Sequence, residues 1–311
     1  MNISKGVLLL LFLTLFLNNI NTRANTTTTL NFTHLSRGGD DENAEIAEED
    51  FSKSWEANAF TIDANYNKQV KKYVKKFLGK ERVGMELLLG RKTTYFPIFE
   101  KYIQENNLPK ELKYLPIVES ALMPTIESPV GAKGLWQFMP ATARRYGLVI
   151  DDYVDERCDP VKSTQAALAY LKFLNDKYQD WKLALAAYNC GYGRVDKAIK
   201  KSGKNSFEEI KDFLPKETRQ YVPKFIATAY VMENYFFHDL RPIYPEYTMQ
   251  FVKVVKIHQR TTLAKIAEKT KMSLKTIQKL NPSYRKGIIP PSADGNFVII
   301  PIFSEELTME D

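Results

Sequence analysis

Apolar residues recur at helical spacing through most of the chain. In KQVKKYVKKFLGKER, residues 68–82, Val70, Tyr73, Val74, Phe77 and Leu78 share one face, which leaves the lysines as the wet side of an amphipathic helix. Residues 55–105 read as helical and end in FPIFEKYIQENN, with Pro97 near the start of that run. Pro109 suits the first turn of a further helix. Ser163 and Thr164 open TQAALAYLKFLNDKY, where Ala167, Leu168, Leu171, Leu174 and Tyr178 line one side. Asp180 is placed to cap WKLALAAYN, and FIATAYVMENYFF closes a region, residues 55–240, that is predicted to be largely α. After Pro245 the period changes. TMQFVKVVKI is β-branched and strand-like, LAKIAEKT and SLKTIQKL are short amphipathic helices, and NFVIIPI is a second strand. A βααβ unit of that size has a marginal core of its own, which predicts an accessory module and not a second catalytic domain.

One carboxylate interrupts this pattern. Leu108, Leu112, Leu115, Glu119 and Leu122 follow one another in steps of four, three, four and three, so Glu119 takes a place in an apolar stripe. Burial disfavours the charged form of a glutamate and moves it toward use as a general acid. A structural glutamate satisfied by hydrogen bonds is the alternative. Pro116 removes a backbone donor and predicts a kink. Glu127, between Pro124 and Pro129, reads as an exposed loop acid, and Glu217, beside Thr218 and Arg219, as either a site residue or an ion-paired structural one.

The N-terminus and the charge add compartment. VLLLLFLTLFL at 7–17 follows Lys5 and precedes a polar stretch ending at Ala24, the layout of a secretory signal peptide over residues 1–24. An uncleaved anchor is the alternative, although a span needs about 20 apolar residues. No cysteine stands near the cleavage point to carry a lipid. Residues 25–54 form a polar linker whose DDENAEIAEED holds seven acids, so the formal charge of +7 conceals +14 elsewhere. A basic exterior favours an anionic polymer, and export argues against nucleic acid as that polymer. Cys158 and Cys190 are candidates for a disulfide, a question that spacing leaves open.

Glu119 with Ser120, SPVGAKGLWQFMPATA at 128–143, LALAAYNCGYG at 183–193 and ETRQYV at 217–222 together resemble the ordered motifs of the soluble-type lytic murein transglycosylases. LPIVES, YGL at 146–148, DERCDP at 155–160 and DWKLALAAYN resemble the membrane-bound, D-type branch of that family more narrowly. The resemblance covers roughly residues 95–235. It implies a mainly α domain similar in fold to goose-type lysozyme, within residues 55–245, with Glu119 as the sole catalytic acid and base. Ser128, Gln137, Met139, Tyr188, Asn189, Glu217 and Tyr221 then match substrate-binding positions, and no metal or organic cofactor is implied. The hydroxyl and amide side chains suit sugar hydroxyls and N-acetyl groups, and tyrosine adds an apolar face. Each has a duller reading, with Asn189 as a helix C-cap, Tyr188 as core and Met139 as gap-filler.

Residues 246–303, through their βααβ order and KLNPSYRKGIIPPSADGNFVIIP, resemble LysM, a glycan-binding module, with 304–311 as a tail. The usual Gly-Asp-Thr-Leu before the first helix reads Arg260, Thr261, Thr262, Leu263 here, which leaves open whether this copy binds sugar. The expected partner is the peptidoglycan glycan strand, and the expected place is the periplasm or cell envelope, with peripheral envelope association. A muramidase on the same fold and a non-catalytic wall-binding protein are the competing functions.

Overall fold

The computed structural model describes residues 60–62 and 67–304. The signal peptide expected at 1–24, the linker at 25–54 and the tail beyond Ser304 lie outside the described residues. The larger part is helical. Helix α1 (Lys68–Leu78) is capped by the Asn67 side chain, which accepts from the amides of Gln69 and Val70 at 3.0 Å each, and buries Val70, Val74 and Phe77. Gly79 ends it, and α2 (Arg82–Glu105) follows, so the described part of the stretch read as helical over 55–105 is two helices. Pro97 lies well inside α2, where burial of Tyr95, Phe96, Ile98 and Phe99 holds the helix through the lost backbone bond.

A 3₁₀ turn (Lys110–Tyr114) leads into the short α3 (Leu115–Ser120), and α4 (Pro140–Arg145) follows a hairpin-like loop. Helix α5 (Pro160–Tyr178) begins before the expected Ser163: Asp159 caps it, accepting from Val161 N at 2.8 Å and Lys162 N at 2.9 Å. Pro160, free of a donor, is suited to its first position. Asp180 caps α6 (Trp181–Cys190) as expected, accepting from Lys182 N and Leu183 N. Helices α7 (Tyr192–Ser202) and α8 (Phe207–Ile210) precede α9 (Lys216–Glu233), which starts earlier than the apolar run suggests and carries Glu217 in its first turn. Its end leaves Phe236 and Phe237 exposed on the following turn. One core of buried aliphatic and aromatic side chains, Trp136, Phe99 and Tyr230 among the largest, joins these helices.

The C-terminal region has the expected order with two refinements. Tyr247–Gln250 is a helical turn, α10, so the strand begins at Val252. Strand β1 (Val252–Ile257) pairs antiparallel with β4 (Asn296–Pro301), from Val252 opposite Pro301 to Ile257 opposite Asn296. Helices α11 (Leu263–Lys269) and α12 (Leu274–Leu280) lie between, and the two-residue strands β2 (Thr261–Thr262) and β3 (Ile288–Ile289) form a second small pairing. The Thr262 side chain caps α11, accepting from Lys265 N at 3.1 Å. A second core forms around Ile257, Leu263, Ile266, Ile277, Tyr284, Val298 and Ile300, and Val154 from the larger part belongs to it. Leu280 and Ile299 in turn belong to the larger core. No helix among the described residues is long and apolar enough to cross a membrane.

Candidate active site

The stripe that singled out Glu119 is not one continuous helix. Leu112 lies in the 3₁₀ turn, Leu115 and Glu119 lie in α3, and Leu122 follows it, yet all four are buried. Pro116, in the first turn of α3, starts a helix there and does not kink one. Ala121 and Leu122 stop it by adopting left-handed backbone, φ 51° and 57°. Neither is glycine, so each position is strained. The Arg91 guanidinium donates to Ala121 O at 3.0 Å and holds this end. Ser120 Oγ bonds Pro116 O and Leu135 O, both at 2.9 Å, tying the helix to the loop that follows. Glu119 is thereby fixed at the end of a rigid turn with 7% of its surface exposed.

The loop 126–139 forms one wall. Lys133 and Phe138 exchange backbone bonds of 3.0 and 3.1 Å, closing a tight hairpin. Ser128 Oγ accepts from Ala132 N at 2.9 Å and shapes the turn at its base. Gln137 sits at φ 48°, its Nε2 donating to Ile126 O and Gly134 O at 3.1 and 2.9 Å. Its Oε1 is buried with no hydrogen-bond partner among the described residues. Such an acceptor carries a cost until a donor meets it. Met139 is half-buried and precedes α4. Trp136 is wholly buried, and its indole N–H donates to Thr164 Oγ1 at 2.9 Å.

Helices α6 and α9 supply the other residues of the group. Tyr188 donates through its hydroxyl to Trp136 O at 2.7 Å and packs on Tyr170 with ring centroids 5.4 Å apart. Asn189 is not a C-cap, a place Gly191 takes at φ 88°; its Oδ1 accepts from Thr218 Oγ1 at 2.8 Å. Spacings of four and three put Glu217, Tyr221 and Lys224 on one buried face of α9. The Tyr221 hydroxyl donates to Glu119 Oε1. Burial first, and the Glu119 charge second, push the Tyr221 phenol well above its ordinary value, so it remains a donor. Lys224 is buried too; burial pulls its ammonium down to about 8, against the nearby Glu81, Glu119 and Glu217 carboxylates. Ser120 and Thr218 lie inside the quoted motifs and Lys224 follows Tyr221 at helical spacing, but the sequence assigns none of them a role; the structure gives each a buried contact or position beside the site.

Glu127 stands apart from this group. It is half exposed at the side chain and pairs with Lys133 at 3.0 Å, the loop acid its context implied. Cys158 and Cys190 are free thiols, both buried, which answers the pairing question in the negative. Burial pushes the Cys158 thiol up to about 12, so it is an inert packing residue.

Residues 96–211 match the family model described as the transglycosylase SLT domain, and residues 251–304 match that of the lytic transglycosylase MltD, LysM-like domain. The chain is similar to membrane-bound lytic murein transglycosylase D of Escherichia coli K12, 36% identical over 207 residues that cover 64% of this chain and 44% of that protein. It is also similar to the soluble lytic murein transglycosylase of the same strain, 30% identical over 141 residues, 43% of this chain and 22% of that one. The crystal structure of the 70 kDa soluble lytic transglycosylase of Escherichia coli aligns at 28% identity over 46% of this chain and 24% of that one, with a TM-score of 0.38. The chain spans less than half the length of these relatives. It carries an SLT transglycosylase domain followed by an MltD-type LysM-like domain.

Proposed function

We propose that this chain, with its SLT transglycosylase and LysM-like domains, is a peptidoglycan lytic transglycosylase in which Glu119 serves alone, first as acid and then as base. The observation that carries the reading is a buried glutamate oriented by the Tyr221 hydroxyl at Oε1, between walls of amide, hydroxyl and tyrosine side chains. The Glu119 carboxyl gives its proton to the oxygen linking N-acetylmuramic acid to N-acetylglucosamine. The bond from muramic C1 to that oxygen breaks, and the N-acetylglucosamine leaves with the proton on its hydroxyl. The substrate's own N-acetyl group supports the oxocarbenium-like centre, a recognised exception to catalysis by two carboxylates. The Glu119 carboxylate then takes the proton of the muramic C6 hydroxyl as O6 bonds to C1, and no water is consumed. Ser128, Gln137, Met139, Tyr188, Asn189, Glu217 and Tyr221 bind the glycan, the unpartnered Gln137 Oε1 being suited to an amide N–H such as that of an N-acetyl group. Export by the N-terminal segment to the periplasm, and glycan retention by the C-terminal module, complete the proposal.

Glu217 gives the muramidase reading its one supporting observation, since it is a second buried carboxylate on the face that holds Tyr221. The products separate the two. An intramolecular hydroxyl held close has a large effective-molarity advantage over bulk water. Digested peptidoglycan is therefore expected to yield muropeptides ending in 1,6-anhydro-N-acetylmuramic acid, lighter than the hydrolytic products by one water and unchanged by borohydride. Mass spectrometry before and after reduction reads this. Predominantly reducible ends would put water in place of the C6 hydroxyl and Glu217 in the frame as its activator.

A further inference from the structure

Besides the core residues it shares with the helical part, the C-terminal module is joined to it by a short hook. Asp151 Oδ1 accepts from the amides of Tyr153 and Val154, both at 2.7 Å, and this turn presents Val154 and Asp155 outward. Asp155 N donates to Ser283 O at 2.9 Å, Arg285 N donates to Tyr153 O at 2.8 Å, and Val154 pairs with Tyr284 as a β-bridge. The side chain of Asp155, 1% exposed, then gathers two arginines from opposite directions. Arg157 donates through Nε and Nη2, each at 2.9 Å, and Arg285 of the C-terminal module donates through Nη2 at 2.7 Å. Lys133 Nζ stands 3.7 Å away.

Arg157 is also the clamp of the site wall. Its Nη1 donates to Gly131 O at 2.8 Å and reaches Phe138 O at 3.4 Å, two carbonyls of the loop that carries Ser128, Gln137 and Met139. Gly134 lies so close against Arg157 that a Cβ there would fall 1.8 Å from the Arg157 carbonyl oxygen. The far side of the same hairpin reaches Glu119 through Ser120 Oγ on Leu135 O, and Tyr188 through its hydroxyl on Trp136 O. Asp155 has four lone-pair sites, enough to hold both arginines at once, and its grip on Nε and Nη2 orients the Arg157 guanidinium whose Nη1 meets the two carbonyls. Arg285 holds the same carboxylate from outside the helical part.

We propose that Arg285 is a positioning residue for the active site: through Asp155 and Arg157 the C-terminal module holds the loop 126–139 against Glu119. The module is on this view a structural part of the cleft, whatever glycan it also retains. The inference rests on the proposed transglycosylase reading for its kinetic consequence alone; its structural consequence is independent of it.

Two measurements on the full chain test it. The first is amide hydrogen exchange in wild type, Arg285→Ala, Arg285→Lys and the surface control Lys275→Ala. Loss of Arg285 is expected to speed exchange across 126–139 by roughly three- to thirty-fold, the span of a coupling carried through contacts. The lysine variant, which keeps the charge but not the fork, should recover part of the protection, and the control should match wild type. Faster exchange confined to 150–156 and 283–285 would mean a merely local interface and would overturn the proposal. The second is kcat and KM on a short soluble glycan, too small to engage a retention site at the same time as the cleft. A fall in kcat/KM of roughly three- to thirty-fold is expected for Arg285→Ala. An unimpaired rate on the short glycan, with any loss appearing on whole sacculi only, would assign Arg285 to retention and overturn it. Should wild type itself release no fragments, the transglycosylase reading falls while the exchange data still decide the positioning role.

Discussion

At the scale of single residues, the site turns on how one carboxylate is held. Glu119 is oriented by Tyr221, sits at the end of a six-residue helix and is stopped from fraying by two left-handed residues that Arg91 secures. Glu119→Gln preserves volume and can still accept from Tyr221, but it has no proton to deliver. Its activity on sacculi is expected to fall at least about 10²–10⁴-fold, the usual contribution of a positioned acid, with the melting temperature little changed. Glu127→Gln, on an exposed acid paired with Lys133, is expected to retain wild-type turnover. A comparable loss at Glu127 would point to a two-carboxylate mechanism and overturn the single-carboxylate reading. The apolar stripe points to Glu119 although no single helix carries it. Burial of Leu112, Leu115 and Leu122 needs only that successive turns face the same core, and a 3₁₀ turn running into an α-turn satisfies that.

At the scale of elements, the apolar period located the helices, and the misplacements have physical causes. Ser163 and Thr164 look like caps and so predict too late a start for α5; both are buried, with their hydroxyls bonded back to Asp159 O and Pro160 O. Asp159 is the true cap, and a buried one. Burial pushes its carboxyl up to about 6, against the cap bonds from Lys162 and Val161 that favour the charged form. Between pH of about 4 and about 6 the folded protein therefore keeps a proton that the unfolded chain has released. Stability falls as pH rises through that window, by up to about 3 kcal/mol, and the loss is complete above it. Asp159→Asn keeps an oxygen acceptor for the cap and removes the charge. Urea unfolding at pH 4, 5, 6 and 7 should show the variant gaining on wild type as pH rises, and a gap constant with pH would mean that Asp159 is charged in the fold throughout. The links among Asp155, Arg157 and Arg285 were not legible at this scale. They join residues distant in sequence, and DERCDP carries no periodic signal of what it faces.

At the scale of the molecule, the sequence divides in composition and period at Pro245, but the cores do not divide there. Val154 completes the core of the C-terminal module, Leu280 and Ile299 complete the larger one, and the buried Thr94 hydroxyl donates to Met249 O beyond the division. A chain ended at Pro245 would lose that acceptor, expose Val154 and leave Asp155 without Arg285. An unsatisfied buried hydroxyl costs about 1–3 kcal/mol and an exposed valine about 1.5–3 kcal/mol, so the truncated chain is expected to melt lower by roughly 10 °C. The same sharing of cores makes the full chain one cooperative unit. Calorimetry is expected to show a single transition whose van't Hoff and calorimetric enthalpies agree, since neither core is complete while the other is unfolded. Two resolved transitions, with a truncated chain that melts where the first or second of them does, would show that the hook at Val154 and Asp155 adds little, and that the two cores stand alone in spite of the side chains they share.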